Sequence, residues 1–491
     1  MVCLLPSEQA IGQSSYFEYS ETAKRAYEKI LSLRFQEAEI DLSELKRSEP
    51  QNLVIHHLEN YVDFLKVFIN EEEAEFKRLE KNKQIRLNKI KQGPEDSPYY
   101  LFMQAEIQLQ WALARLKFEE YLLAFTEVSK AYKQLNKNLE RYPDFIGNKK
   151  SLGIIHALIG TIPENYRWSI RLLGGMDGSI SQGKAEIEEV LQYSSEHDFI
   201  FEEETLFMYT FLLLHLENEE DEAWDIVNTD KLNTSQNPLA CFAKANVAMR
   251  TGRSEIAINL LENRPQGDHY HTFHYLDLVL GFAKLYRLDE DADVYIEKYI
   301  NLYRGKNYLK EAHQKLAWHY LILGNKQAYT NNMKLCLNRG DDVLDSDKTA
   351  EAEAKSGQIP NTTLLKARIL FDGGYYERAF QTLNTNPLEE GAPFKFKLEY
   401  TYRLGRILHR LDHFDDALEN YQQTIAEGKT SSYFYACNAA LQCGLIYEKE
   451  KEYDLAKKYF LICTGLKPDS YKTSLHQKAE TGLQRLDNVG L

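Results

Sequence analysis

Proline and glycine are scarce in this 491-residue chain, at 12 and 25 residues. That scarcity argues against a turn-rich sheet protein and for long helices. Cysteine is thin as well: Cys3, Cys241, Cys336, Cys437, Cys443 and Cys463, with no C-x-x-C pair. Neither a zinc ribbon nor a redox motif is therefore indicated. Cys443 and Cys463 fall on the paired helices of one predicted hairpin, where a disulfide stays open beside the expected buried free thiols. Long apolar runs are missing. The densest, Leu206 to Leu216, is about half the length that crosses a bilayer, so no integral membrane span is expected. Positive charge is in deficit, with a formal net charge of −15. Such an average field repels a phosphate backbone, so no nucleic-acid partner is expected. The basic run Lys81, Lys83, Arg86, Lys89 and Lys91 reads as a solvated helix face.

What is present is a returning spacing. A small residue is followed by Ala twelve positions on, a large apolar residue four later, and in places Pro eight after that. Near the C-terminus it reads Gly444, Ala456, Phe460, Pro468; before that, Gly405, Ala417, Tyr421, with Lys429 in the proline slot; at the N-terminus, Ala26, Ala38, Leu42, Pro50. This is the pattern of a helical hairpin that stacks on copies of itself. By length alone the chain would hold about three domains. A solenoid escapes that limit, because each repeat touches only its neighbours. Tyrosine, at 32 residues, suits helix pairs that bury a ring and leave the hydroxyl near water.

The expected organisation is a leader over 1–15 and an N-terminal helical block over 16–200. Degenerate middle repeats follow over 201–345, a polar linker over 346–362, and well-formed repeats over 363–491. Val2-Cys3-Leu4-Leu5 with Ala10-Ile11-Gly12 ahead of Gln13 reads as the remnant of an export signal, implying a periplasmic or cell-envelope protein. A cytoplasmic protein with a plain soluble terminus is the alternative.

The N-terminal block carries a punctuated insert over 148–191. Thr161 with Glu164 forms a capping box, with Pro163 in the first turn, and Ser179 with Gln182 forms another. Gly153 and Gly160, seven apart on one helix face, should admit a close neighbouring helix.

On these residues the chain resembles tetratricopeptide-repeat proteins: Leu404-Gly405 with Ala417 and Tyr421, then Gly444, Tyr447, Ala456, Phe460 and Pro468. The block Gly160-Thr-Ile-Pro-Glu-Asn-Tyr-Arg-Trp168 with Leu172-Leu-Gly-Gly175 is similar to long exported bacterial repeat proteins, and faintly to the tetratricopeptide-repeat 39 family. The resemblance implies an all-α, right-handed superhelical solenoid of tetratricopeptide-like hairpins. It also implies a concave groove, lined by the first helix of each hairpin, that holds a peptide. The matching positions are Asn361, Arg368, Tyr402, Arg406, His409 and Asn438, of which Tyr402, Arg406 and His409 stand at i, i+4 and i+7 of one helix. The Lys/Asn clamp that some relatives use for a terminal carboxylate is not reproduced, since Tyr402 and Arg406 occupy its positions.

Chemistry has little support in the residues. His269-x-His271-x-x-His274 is the one compact histidine cluster and a weak zinc candidate. Gly174-Gly175-x-x-Gly178 lacks the Lys and the preceding strand of a phosphate loop. The expectation is therefore a non-catalytic scaffold with a protein or peptide partner and no cofactor. The alternatives are a structural subunit of an envelope complex, or a metal-binding enzyme that uses the repeats as a platform.

Overall fold

The computed structural model describes residues 14–162, 174–214 and 219–488. Among these residues lie 24 helices, and the one strand-like pairing is an isolated bridge between Tyr16 and Asn52. The helices come in hairpins. α1 (Glu21–Leu31) folds against α2 (Phe35–Ser48), α3 (Val54–Asn70) against α4 (Glu73–Ile90), and α5 (Pro98–Lys117) against α6 (Tyr121–Arg141). α7 (Gly147–Gly160) pairs with α8 (Ile180–Glu196), and α9 (Glu202–Leu212) with α10 (Glu220–Val227). α11 (Pro238–Arg250) and α12 (Ser254–Glu262), α13 (Tyr275–Arg287) and α14 (Ala292–Leu302), and α15 (Leu309–Ile322) and α16 (Lys326–Asn338) form the middle pairs. α17 (Asp345–Ser356) stands outside the alternation and packs on both α15 and α16. The last pairs are α18 (Thr362–Asp372) with α19 (Tyr376–Thr385), α20 (Phe394–Arg410) with α21 (Phe414–Gly428), and α22 (Tyr435–Lys449) with α23 (Tyr453–Gly465). α24 (Lys472–Asn488) covers the end. The protein is an all-α solenoid of tetratricopeptide-like hairpins.

The repeat spacing has a direct physical cause. A Cβ on Gly405 would stand 2.8 Å from the Tyr421 ring, and one on Gly444 2.5 Å from the Phe460 ring. Ala417 and Ala456 are fully buried in the same seams. A small residue on the first helix thus admits the large ring of the second, and the fully buried Ala lets the backbones close up. In nine hairpins the turn between the paired helices reverses at a residue in the left-handed region: Leu33, Glu71, Glu119, Leu288, Asp412 and Lys451 in six, Gly252, Gly324 and Gly374 in three others. The approach expected at Gly153 and Gly160 is present, with Cβ positions that would fall 2.9 Å from the Gly183 carbonyl and 2.3 Å from the Ile180 nitrogen of α8. Ser179 caps α8 by accepting from the Gln182 N–H at 3.1 Å. The Gln182 side chain, however, turns to His156 and Glu186 instead of closing a box. The Thr161–Glu164 box falls partly outside the described residues.

Two expectations are corrected. The linker placed at 346–362 is largely helix α17. Its buried face is made of Asp347, Ala350 and Ala354, so no large apolar periodicity marks it in the sequence. Asp347 is buried because its carboxylate accepts from the Tyr308 and Glu311 N–H groups and so caps α15. The cysteine neighbours are Cys437 and Cys463, with sulfurs 3.6 Å apart as free buried thiols. Cys443 lies six residues further along α22 and packs into the cluster shared with α20 and α21.

Hairpins distant in sequence lock the coil. The turn between α11 and α12 meets the turn between α18 and α19, where the Ser254 N–H donates to the Gly373 carbonyl and the Tyr375 hydroxyl to Glu255. Gly374, at φ +84°, lies so close to Gly252 that a Cβ would fall 1.7 Å from its carbonyl oxygen. Gly374→Ala should therefore cost at least about 2 kcal/mol, combining left-handed strain with a backbone clash. Gly357→Ala, at φ +64° with nothing within 4 Å of the new methyl, should cost only about 1 kcal/mol. Urea midpoints of the two variants check the difference, and equal costs would mean that the inter-hairpin contact is absent.

Candidate functional site

The first helices of successive hairpins form the inner face of the solenoid, and the chain treats its two halves differently. In the N-terminal half that face is sealed. The Lys150 ammonium, fully buried, lies 2.6 Å from Glu106 and 3.2 Å from Glu204. Tyr27 and Tyr61 donate their hydroxyls to Glu204 at 2.8 and 2.9 Å, and Ser151 donates to Glu106. Burial alone would strip the proton from Lys150, but the two carboxylates reverse this and its pKa is raised. Phe201 closes the other side, with its ring 5.5 Å from those of Tyr19 and Tyr27. α1, α3, α5, α7 and α9 thereby meet around one ionic hub whose buried charges are paired.

In the C-terminal half the inner face is open. A cavity of about 300 Å³ is bounded by Glu353 of α17, Arg368, Phe371 and Asp372 of α18, Glu399, Tyr402, Arg403 and Arg406 of α20, and Tyr435 of α22. A second, of about 580 Å³, continues along α11, α13 and α15 past Arg250, Tyr275, Phe282, Tyr286 and Glu311. Phe371, Asp372 and Arg406 line both cavities. The extra helix α17 supplies part of the wall of each.

Of the six positions carried over from the resemblance, Arg368, Tyr402 and Arg406 reach this groove. Tyr402 anchors the arrangement: its hydroxyl accepts from Arg406 Nη1 at 3.0 Å and from Asn438 Nδ2 at 2.9 Å. Arg368 lies over the Trp318 ring at 4.6 Å, with Asp372 3.8 Å away. Asn438 thus supports the site through Tyr402 without lining it. Asn361 is used locally as the cap of α18, accepting from the Leu364 N–H at 3.1 Å. His409 sits in the last turn of α20 and faces α21, with Nδ1 3.4 Å from the Tyr421 hydroxyl. Burial, with Arg406, Arg410 and Lys449 nearby, pushes His409 down to about 4, so it is neutral near pH 7. Sequence reasoning missed Phe371, Asp372, Glu399 and Arg403. The last two were legible as an i, i+4 pair, and they form an ion pair on α20.

The three histidines part company. The His269 ring rests on Tyr270, with ring centres 4.3 Å apart. His271 ties the middle hairpins to the N-terminal block: its N–H donates to the Leu33 carbonyl at 2.7 Å, and its Nε2 lies 3.1 Å from Asn70. His274 begins α13. Among the described residues no three His, Cys, Asp or Glu side chains are gathered to hold a metal, and no helix is long and apolar enough to cross a membrane.

Comparison with protein-family models and with curated proteins finds no match. A chain in the crystal structure of the APC/C hetero-tetramer Cut9-Hcn1 is similar at 12% identity and a TM-score of 0.28, over 93% of this chain and 92% of that one. At that score the likeness carries no weight for function, and the fold assignment stands on the helix pairing itself.

The Tyr402 hydroxyl holds two donors, so Tyr402→Phe should lower stability by roughly 1–2 kcal/mol. The check is the denaturant midpoint at unchanged slope. An unshifted midpoint would show that the Arg406–Tyr402–Asn438 arrangement does not form.

Proposed function

We propose that the protein is a non-catalytic interaction scaffold that holds a segment of a peptide or protein partner along the open inner face of its C-terminal half. The observation that carries this reading is the pair of adjoining cavities, walled by first helices and α17 and furnished with Phe371, Tyr402, Tyr286 and Arg406. Aromatic and Arg side chains at the centre of a concave surface are where binding energy concentrates. The carboxylates of the smaller cavity are engaged in positioning: Glu353 by Trp318 and Gln314, Glu399 by Arg403 and Asp372 by Arg368. An envelope location, expected from the apolar leader at residues 1–12, belongs to the same proposal.

A second reading has one observation in its favour. Outer helices carry exposed apolar side chains, such as Val294 at 60% and Leu461 at 54% exposure. Those would suit a structural subunit that packs through its convex side. The two readings separate by site-specific photocrosslinking in cells, with benzoylphenylalanine placed at Ile359, on the groove rim and half exposed, or at Leu461 on α23. The scaffold reading predicts a discrete adduct from position 359 and none from 461. An adduct from 461 alone would overturn it in favour of the structural subunit.

A further inference from the structure

We propose that the groove selects an acidic side chain within a continuous stretch of partner chain, and that Arg406 is the residue that reads it. This deepens the peptide-scaffold reading and rests on it.

The charges of the smaller cavity do not balance. Its carboxylates are all engaged: Glu353 accepts from the Trp318 indole at 2.8 Å and from Gln314 at 2.6 Å, Glu399 pairs with Arg403, and Asp372 lies near Arg368. Lys395 donates to the Gln358 side chain at 2.5 Å, which leaves Arg406. Among the described residues it forms no ion pair; Asp372 acts on it electrostatically from beyond contact, and its one hydrogen bond goes to the neutral Tyr402 hydroxyl. Its guanidinium lies 4.9 Å from the centre of the Phe371 ring, which holds the planar group by its face. A guanidinium has five N–H donors in a fixed fork, so most of its capacity is free for an incoming carboxylate, to which it bonds in a bidentate manner.

Position decides which carboxylate. Arg406 and Phe371 line both cavities, so space for a ligand continues on each side of the guanidinium. A chain terminus bound there would leave one cavity empty. An Asp or Glu inside an extended segment places its carboxylate on Arg406 while its flanking residues enter the two cavities. The aromatic walls, Tyr435 on one side and Tyr286 and Phe282 on the other, suit apolar or aromatic flanks.

The test is selection of internally displayed random twelve-residue peptides on phage, against the full chain and against its Arg406→Gln variant. Glutamine keeps a donor for Tyr402, and matching thermal melts confirm that the variant is folded. Wild type should enrich sequences with Asp or Glu at one fixed position between apolar residues, while the variant keeps the apolar preference and loses the acidic one. The enriched peptide, made with a blocked C-terminus, should bind about tenfold or more tightly with Glu than with Gln at that position on wild type, and equally on the variant. Enrichment without an acidic position would overturn the assignment of Arg406 and leave the groove reading standing. Tighter binding of a Gln peptide with a free C-terminal carboxylate would likewise replace the internal side chain by a chain end. No enrichment on either protein would overturn the groove reading itself.

Discussion

The structure depends on how closely two helices of a hairpin can approach. Where Gly405 faces Tyr421 and Gly444 faces Phe460, there is no space for even one further carbon atom. That fit sets the separation within these two pairs, and through it the angle at which the next pair is added.

The two halves use the inner face in opposite ways. At the N-terminus five first helices converge on Lys150, which carries its charge into the interior only because Glu106 and Glu204 meet it there. A buried pair of this kind is costly to break, since removing one partner strands the others. The result is a rigid, closed block. The middle hairpins dock on it through His271 and through Asn307, which donates to Glu71. In the C-terminal half α17 interrupts the alternation, and the face beside it stays open. The solenoid is thereby divided into a closed end and an open end.

The sequence showed the seams because they are local. The small residue, the Ala and the ring that form one seam stand within sixteen residues of each other, and each is of an unmistakable type. The ionic hub was not legible, because Tyr27, Tyr61, Glu106, Lys150 and Glu204 come from five different hairpins. Glu204 stands beside Glu202 and Glu203 in the first turn of α9, where acidic residues are ordinary. α17 was hidden by the small size of its buried alanines. Tyr402 and Arg406, both mid-helix, line the smaller cavity, as their helical spacing led one to expect. At the helix ends Asn361 is used for capping, and His409 faces the second helix. Cys443 likewise lies on a face of α22 that belongs to a different cluster from that of Cys437.

The central claim is that binding belongs to the open C-terminal face and leaves the sealed N-terminal face untouched. Hydrogen exchange of the full chain, with and without the partner crosslinked through Ile359, measures this directly. The account predicts slowed exchange in Thr362–Asp372 and Phe394–Arg410, with Glu21–Leu31 and Val54–Asn70 unchanged. Slowing confined to the N-terminal first helices, or to the outer helices, would contradict it.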